Sequence, residues 1–164
     1  MVIEMSNNKD LDLKNLNIYQ LGYVYKNIQK QANIMENMFG VSKFVIFDPV
    51  DVKVIYRGVN KTIKMKAGFG TLYDDTQIEL LQPVEGESIY NEFLNQGREG
   101  FHHILYIVED LQAVINKYKE AGIDVIQSGK VMTSSYAYMG TEEILGMIVE
   151  FAQEGRRSRR KKKE

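Results

Sequence analysis

The chain has 164 residues and 44% hydrophobic content, which is typical of a globular core and excludes a wholly disordered protein. It has no cysteine, which excludes disulfides, zinc–thiolate sites, iron–sulfur clusters and thiol nucleophiles, so any metal must be held by nitrogen and oxygen ligands. The net charge of −1 hides a basic end, because without Arg156–Glu164 the chain keeps 14 basic and 21 acidic residues. This acidic body disfavours nucleic-acid binding.

The two ends of the chain are expected to lie outside the packed domain. We expect residues 1–16 to form an N-terminal extension and residues 154–164 to form a basic disordered tail, because a block of like charges repels itself. The alternative for the tail is an anchor to nucleic acid or to an acidic partner. The start has acids and amides where a secretory signal has basic and apolar runs, and no apolar stretch approaches the length of about 20 residues that a membrane span needs. A cytoplasmic protein is expected.

The first predicted module spans residues 17–83 and begins with a strand and a helix. A β-rich run ends at Asn27, a good N-cap residue, and apolar residues at helical spacing follow as far as Gly40. Turn signals at Asp48-Pro49 and Arg57-Gly58 then separate further strands. The pattern predicts a βαβββ order.

The second predicted module spans residues 101–153 and follows a partly helical linker, residues 84–100. Its β-rich run ends at Asp110, another good N-cap residue, and the predicted helix stops at Gly122. Further strands follow, so the order of the first module is repeated.

Two internal alignments relate the modules. The segment that starts at Gln20 aligns with the segment that starts at His103, and the strand that contains Glu79 aligns with the strand that contains Glu150. We therefore predict an α+β fold of two tandem βαβββ modules, in which equivalent positions meet around a pseudo-twofold axis. A functional site is expected at that axis.

The four aligned polar residues are candidate metal ligands. All lie on predicted strands, where alternation of side chains can point them into a concave sheet. An amide, an imidazole and two carboxylates suit a hard or borderline divalent cation. Taken singly, each residue is more often an ordinary surface or hydrogen-bonded residue, but an unpartnered Glu150 in its apolar strand would be costly to bury. The four candidates are Gln20, Glu79, His103 and Glu150.

The chain resembles the vicinal-oxygen-chelate superfamily, which includes glyoxalase I, methylmalonyl-CoA epimerase, extradiol dioxygenases and the fosfomycin and bleomycin resistance proteins. The resemblance covers roughly residues 17–153, and its most specific segments are residues 76–81, 100–111 and 146–151. The first two are similar to the epimerase and glyoxalase branch. The resemblance implies a glyoxalase-like fold, a cupped and partly open mixed sheet around a central site, and a homodimer.

The resemblance also implies roles for the four candidates. It places the ligands of one divalent metal ion, zinc, nickel, cobalt or manganese, on all four. The order Gln, Glu, His, Glu is similar to that of eukaryotic glyoxalase I, whereas epimerases usually have His first. It makes Glu150 the first candidate for the catalytic base, with Glu79 assisting from the other module.

Two branches of this superfamily do not fit the sequence. Extradiol dioxygenases and fosfomycin-resistance enzymes place two histidines on one metal ion. The histidines of this chain, His102 and His103, are neighbours on one predicted strand, so alternation would point them to opposite faces. The remaining reaction is an isomerase- or lyase-type proton transfer next to a carbonyl or thioester, similar to methylmalonyl-CoA epimerase or to glyoxalase.

The substrate is less well defined by the sequence. Val24 and Pro83 stand where glyoxalase I has the Arg and Asn that contact glutathione, so lactoylglutathione is a doubtful substrate. An acyl-CoA thioester or a 2-oxoaldehyde adduct remains, and the linker segment 86–98 could shape its pocket. Four basic residues could bind a nucleotide phosphate or could be solvated charges: Lys61, Lys64, Lys66 and Arg98.

The alternative to an enzyme is a non-catalytic protein of the same fold that binds a small molecule or sequesters a drug. Such binders generally lack the metal ligands, and this chain has the complete set. The set therefore favours an enzyme.

Overall fold

The computed structural model describes residues 16–155. Nearly all of the predicted basic tail, residues 154–164, and of the predicted N-terminal extension, residues 1–16, lies outside the described residues. None of the helices in the described part of the chain is long and apolar enough to cross a bilayer.

Residues 16–155 form eight strands and four helices in an order that repeats βαβββ, with a helix between the modules and a short helix before the last strand. This confirms the predicted fold class. In chain order the elements are β1 (Gln20–Val24), α1 (Ile28–Met38), β2 (Val45–Tyr56), β3 (Val59–Thr71), β4 (Gln77–Glu85), α2 (Ile89–Asn95), β5 (Gly100–Ile107), α3 (Leu111–Glu120), β6 (Val125–Val131), β7 (Ser134–Met139), α4 (Glu142–Leu145) and β8 (Ile148–Gln153).

The first helix of each module begins and ends as the local sequence predicts. The side chains of Asn27 and Asp110 accept backbone N–H hydrogen bonds from the first turns of α1 and α3. Gly40 and Gly122 follow the helices in the left-handed region, with φ of 67° and 79°. These local signals fix where each helix leaves the sheet and returns to it.

The predicted turn at Asp48-Pro49 is wrong. β2 continues through these residues, and its register against β3 shifts between Phe47 and Val50, as in a β-bulge. Proline is tolerated there because β2 pairs with β6 only further along, at Val54–Tyr56. The turn at Arg57-Gly58 is confirmed, and both residues have positive φ, as in a two-residue hairpin loop.

The strands close into a barrel in the order β1-β4-β3-β2-β6-β7-β8-β5, so the mixed sheet is closed and not partly open as the resemblance implied. Within each module the first and last strands are parallel, and the two modules meet where β1 pairs with β5 in the antiparallel sense. Leu21 pairs with Ile104, and these two residues are equivalent in the sequence repeat. The pseudo-twofold axis therefore passes through this pair.

The registers of the parallel pairs match the repeat as well. Gly22 lies opposite Glu79, and the equivalent residue Leu105 lies opposite Glu150. The backbone symmetry thus brings both aligned glutamates next to the strands that cross the axis.

Helices cover the barrel on the outside and at one end. α1 packs on β3 and β4, and α3 packs on β7 and β8. Helix α2 closes the interior with Ile89, Tyr90 and Phe93, which pack against Val24 and Tyr138 in one buried cluster. The polar interior residues of β4, β5 and β8 lie beside this packed cluster.

Candidate metal centre

The imidazole of His103 lies between two carboxylates at the centre of the barrel. Its Nε2 is 3.3 Å from Oε2 of Glu79 and 3.2 Å from Oε2 of Glu150. The ring is fully buried, and Nε2 has no partner in hydrogen-bond geometry within residues 16–155. Three of the four sequence-predicted ligands are therefore in contact, one from the first module and two from the second.

The register around β1 explains this contact. Gly22 has Glu79 opposite it on β4 and His103 opposite it on β5, and residues directly opposite one another share a face of the sheet. A Cβ atom at position 22 would lie only 1.9–2.4 Å from atoms of the His103 ring. The ring occupies space that only a glycine leaves free.

The fourth predicted ligand, Gln20, makes its hydrogen bond elsewhere. Its side chain is buried, and its Nε2 donates to Oε1 of Gln77 at 2.5 Å. The residue opposite Gln20 on β5 is Leu105, the repeat equivalent of Gly22. Gln20 therefore faces a leucine, whereas its repeat equivalent His103 faces a glycine. The side chains do not follow the symmetry of the backbone.

Burial and neighbouring charges shift the pKa values of His103 and Glu150 in opposite directions. Burial lowers the pKa of His103, but the neighbouring Glu150 and Glu79 carboxylates outweigh it and raise the pKa to about 9. Burial raises the pKa of Glu150, while His103 and the Tyr138 hydroxyl oppose that rise. Without a cation, the carboxylates on two sides of His103 therefore favour the protonated form of its ring.

Tyr138 is a neighbour of the site to which the sequence alone assigns no role. Its ring stands nearly perpendicular to the His103 ring, with centroids 5.1 Å apart, and its hydroxyl accepts a hydrogen bond from the Tyr90 hydroxyl at 2.9 Å. A tyrosine in a strand needs no functional explanation, so its residue type carries no signal. The usable signal is its register opposite Glu150, which requires knowledge of the β7–β8 pairing.

The prediction that His102 and His103 point to opposite faces is wrong. In the pairing with β1, consecutive partners on β5 are His103 and Phe101, so one residue is skipped and forms a bulge. Both imidazoles consequently lie inside, with their Nδ1 atoms 3.1 Å apart. The His102 ring packs against the rings of Phe93 and Tyr90 from α2.

Glu79 is the member of the group closest to solvent. Its side chain is 13% exposed, compared with 7% for Glu150 and 0% for His103. Phe69 lies opposite Glu79 on β3, and its ring contacts that of Phe47, which is half exposed. An aromatic pair therefore lies beside the more exposed of the two carboxylates.

The basic residues considered as phosphate ligands are mostly engaged with acids. Three of the four are ion-paired at the surface, which leaves them less available to a phosphate group. These pairs are Lys61 with Glu87, Lys64 with Glu85 and Arg98 with Glu142.

The donor set fits a divalent cation in its chemistry. A buried imidazole nitrogen without a hydrogen bond faces two carboxylate oxygens, and an amide side chain lies two residues along β1 from Gly22. Within residues 16–155, no three His, Cys, Asp or Glu side chains stand in the geometry of an assembled metal site. Cation binding would therefore require the side chains around Nε2 to readjust.

Sequence comparisons relate the chain to known proteins. The sequence model of the Glyoxalase/Bleomycin resistance protein/Dioxygenase superfamily matches residues 19–138. The ethylmalonyl-CoA/methylmalonyl-CoA epimerase of Cereibacter sphaeroides is 34% identical over 84 residues, which cover 48% of this chain and 63% of that protein. The match thus spans less than two thirds of the relative's length.

Solved structures with the same fold include proteins of known and unknown function. A hypothetical protein of Bacillus halodurans matches with a TM-score of 0.64 at 20% identity, over 88% of this chain and 98% of that one. Methylmalonyl-CoA epimerase of Mycobacterium tuberculosis matches with a TM-score of 0.61 at 14% identity, over 85% and 88%. A Streptomyces coelicolor methylmalonyl-CoA epimerase variant in complex with 2-nitronate-propionyl-CoA matches with a TM-score of 0.56 at 17% identity, over 85% and 97%. At these identities the likeness shows the fold alone.

Proposed function

Since the chain belongs to the glyoxalase/bleomycin resistance protein/dioxygenase superfamily, we propose that it is a metal-dependent enzyme that moves a proton at the carbon next to the carbonyl of an acyl-CoA thioester. One observation carries this proposal: carboxylates from both modules, Glu79 and Glu150, face the same nitrogen of His103 in a buried site. The epimerase relative supports the acyl-CoA substrate class, and so does the fold neighbour in complex with an acyl-CoA analogue.

In this proposal one divalent cation, zinc, nickel, cobalt or manganese, is held by the four aligned residues. His103 would supply Nε2, Glu79 and Glu150 would supply carboxylate oxygens, and Gln20 would exchange its hydrogen bond with Gln77 for coordination through its amide oxygen. Such a mixed set of neutral and anionic donors suits borderline cations. A bound cation would supply Lewis acidity at the thioester oxygen, which acidifies the adjacent C–H group.

The two carboxylates divide the proton transfer between them. Glu150 is the proposed base, because burial raises its pKa from the ordinary carboxyl value toward the range useful to a general base. The C–H bond breaks, its proton passes to a Glu150 oxygen, and its electron pair delocalises onto the thioester oxygen. Glu79, on the strand from the other module, delivers a proton that it has taken from solvent to the opposite face of the same carbon, and the proton on Glu150 then passes to solvent. The result is inversion of configuration at that carbon.

The test is exchange of the α-hydrogen with solvent. Protein reconstituted with each of the four cations is incubated in deuterium oxide with methylmalonyl-CoA or ethylmalonyl-CoA, and deuterium at the α-carbon is followed by NMR. We expect incorporation by the natural protein and by E143Q, which changes an exposed acid. We expect a loss of about 10²–10⁴-fold in E150Q and a clear loss in E79Q. Cation-loaded protein that exchanges neither thioester would contradict the proposal.

The second candidate function is non-catalytic binding of a small molecule. The observation in its favour is that a protonated His103, with its pKa raised to about 9, already offsets one of the two carboxylate charges. A protein of this kind would contain no stoichiometric metal. Elemental analysis of protein dialysed without chelator, with E150A and E79A alongside, distinguishes the two functions, because the enzyme should carry about one divalent cation per chain that both variants lose.

Two further predictions accompany the proposed function. The resemblance to the superfamily implies a homodimer, and we propose a cytoplasmic location. Light scattering on purified protein and fractionation of the native cells are the respective measurements.

A further inference from the structure

We propose that His102 is a positioning residue, which accepts a hydrogen bond from Nδ1 of His103 and thereby leaves the Nε2 lone pair of His103 free to face Glu79 and Glu150. The inference deepens the proposed function and rests on it as far as a bound cation is concerned. The hydrogen bond itself is a property of the metal-free protein and can be tested separately.

The two imidazoles meet through the same type of atom. Their Nδ1 atoms lie 3.1 Å apart, and the ring planes are nearly perpendicular at 89°. Two ring nitrogens at this distance form a hydrogen bond only if one carries the hydrogen and the other offers a lone pair. The position of this single hydrogen therefore decides the chemical state of both rings.

Only one direction of the hydrogen bond is compatible with a cation at Nε2 of His103. If His102 donated, Nδ1 of His103 would be bare and a neutral His103 would carry its hydrogen on Nε2, the atom that faces the carboxylates. If His103 donates, its Nε2 lone pair remains available. Donation by His103 is also compatible with a protonated His103 ring, in which both nitrogens carry hydrogens.

The surroundings of His102 favour its role as the acceptor. The His102 ring is buried against the rings of Tyr90 and Phe93, and a neutral imidazole has a single N–H group. Nε2 of His102 is buried without a hydrogen bond of good geometry among residues 16–155, and the residue borders a cavity of about 240 Å³ beneath α2. A neutral His102 that accepts at Nδ1 therefore carries its single N–H group at Nε2, on the side of the ring away from His103.

The bulge in β5 brings the His102 and His103 rings into contact. Regular alternation would place neighbouring side chains on opposite faces, but the skipped position in the β1–β5 pairing brings both rings inside. Phe93, with its ring centroid 5.0 Å from that of His102, and Tyr90 at 5.6 Å then hold the His102 ring against α2. The fixed ring in turn limits rotation of His103.

The first experiment determines which ring nitrogens of His102 and His103 carry a hydrogen. The chain has two histidines, so ¹⁵N NMR of labelled metal-free protein gives signals from two rings only, and substitution of His102 assigns them. We expect a bare Nδ1 and a protonated Nε2 in His102. A protonated Nδ1 in His102 would overturn the inference, whatever the protein's activity.

The second experiment compares two substitutions. H102N keeps an acceptor, since the Asn oxygen stands close to the position of Nδ1, whereas H102F fills the space without one. Zn²⁺ affinity is measured by competition with a chromophoric chelator, and folding by circular dichroism. We expect H102F to bind about 10–100-fold more weakly than the natural protein and H102N to restore most of the loss. Equal weakening in folded H102N and H102F, or no weakening in H102F, would overturn the inference. A natural protein that binds no Zn²⁺ counts against the proposed function, while the NMR result still decides the hydrogen bond.

Discussion

Gly22 controls the position of the His103 ring because that ring lies over its Cα. In G22A the added methyl group would stand 1.9–2.4 Å from ring atoms held by two carboxylates, so the ring must move away from them. We expect G22A to lower the free energy of unfolding by about 1–3 kcal/mol and to reduce the content of bound cation. Urea unfolding and elemental analysis measure the two effects.

The matched control for this substitution is G68A, on β3. A Cβ atom there would lie 3.1 Å from a side-chain atom of Ile46, which can shift by a few tenths of an ångström. G68A should therefore be the milder substitution. If G22A were as stable as G68A and kept its cation, the ring would not depend on the glycine.

Tyr90 and Tyr138 share a hydrogen bond in the buried cluster that α2 forms with the strands. Both side chains are buried, and their hydroxyl oxygens are 2.9 Å apart. Y138F would leave the Tyr90 hydroxyl without this partner, at a cost of about 1–3 kcal/mol in unfolding free energy, and Y90F would have a similar effect. The double variant should cost less than the two single variants together. Additive losses in this double-mutant cycle would contradict the shared bond.

At the scale of elements, the β2–β3 hairpin is tied to α2 by an ion pair. Arg57 donates from Nε and Nη2 to the two carboxylate oxygens of Glu92, at 2.7 and 2.8 Å. The Arg57 guanidinium holds the pKa of Glu92 below its ordinary value of 4.5. Since the folded pKa is the lower one, the stabilisation is complete above the ordinary value and is lost as the pH falls through the folded value.

The expected consequence is a pH-dependent effect of E92Q. At neutral pH this variant should be less stable than the natural protein by up to about 1 kcal/mol, because Arg57 is half exposed and the pair is screened. The difference should shrink to nothing as acid protonates Glu92. E85Q, which removes a more exposed partner of Lys64, is the control and should show a smaller difference. A difference for E92Q that is independent of pH would contradict this assignment.

Local signals and long-range pairing account for what the sequence could and could not predict about the elements. The helix starts at Asn27 and Asp110 depend on side chains that bond to their own first turn, so they can be read from the sequence. The bulge at His102 depends on the register with β1, a strand far away in the chain. The Asp48-Pro49 segment was predicted as a turn for the same reason, since only the short β2–β6 pairing shows why a proline is tolerated there.

The sequence predicted some contacts of the candidate site and not others. The repeat predicted the contact of His103 with Glu79 and Glu150, because equivalent backbone positions meet at a twofold axis. It did not predict the hydrogen bond of Gln20 with Gln77, since that depends on the leucine opposite Gln20 and on side-chain packing that no repeat specifies.

At the scale of the whole molecule, a cation at the proposed site would connect the two modules. The four proposed ligands lie on β1, β4, β5 and β8, so an unfolded chain would not hold them together. Binding to the folded state alone stabilises it, by about 2.7 kcal/mol when the free cation is at 100 times its Kd. We therefore expect the Tm to rise when the preferred cation is added, and not to rise in E79Q or E150Q. An unchanged Tm with all four candidate cations would contradict this prediction.

The difference between Gly22 and Leu105 has a consequence for the stereochemistry of any reaction at this site. Two copies of a duplicated module start out interchangeable, and a site between them would treat the left and right of a substrate alike. Here one copy has Gly22 and the other has Leu105 at the equivalent position. Only the glycine leaves space for a ring, so the His103 imidazole lies over the strand of the other module and has no symmetric counterpart. The carboxylates on its two sides differ in access to water, at 7% and 13% exposure. The planar α-carbon of an enolate held between them would therefore meet chemically unequal groups on its two faces, and the two enantiomers of the substrate would lose their α-hydrogen at different rates.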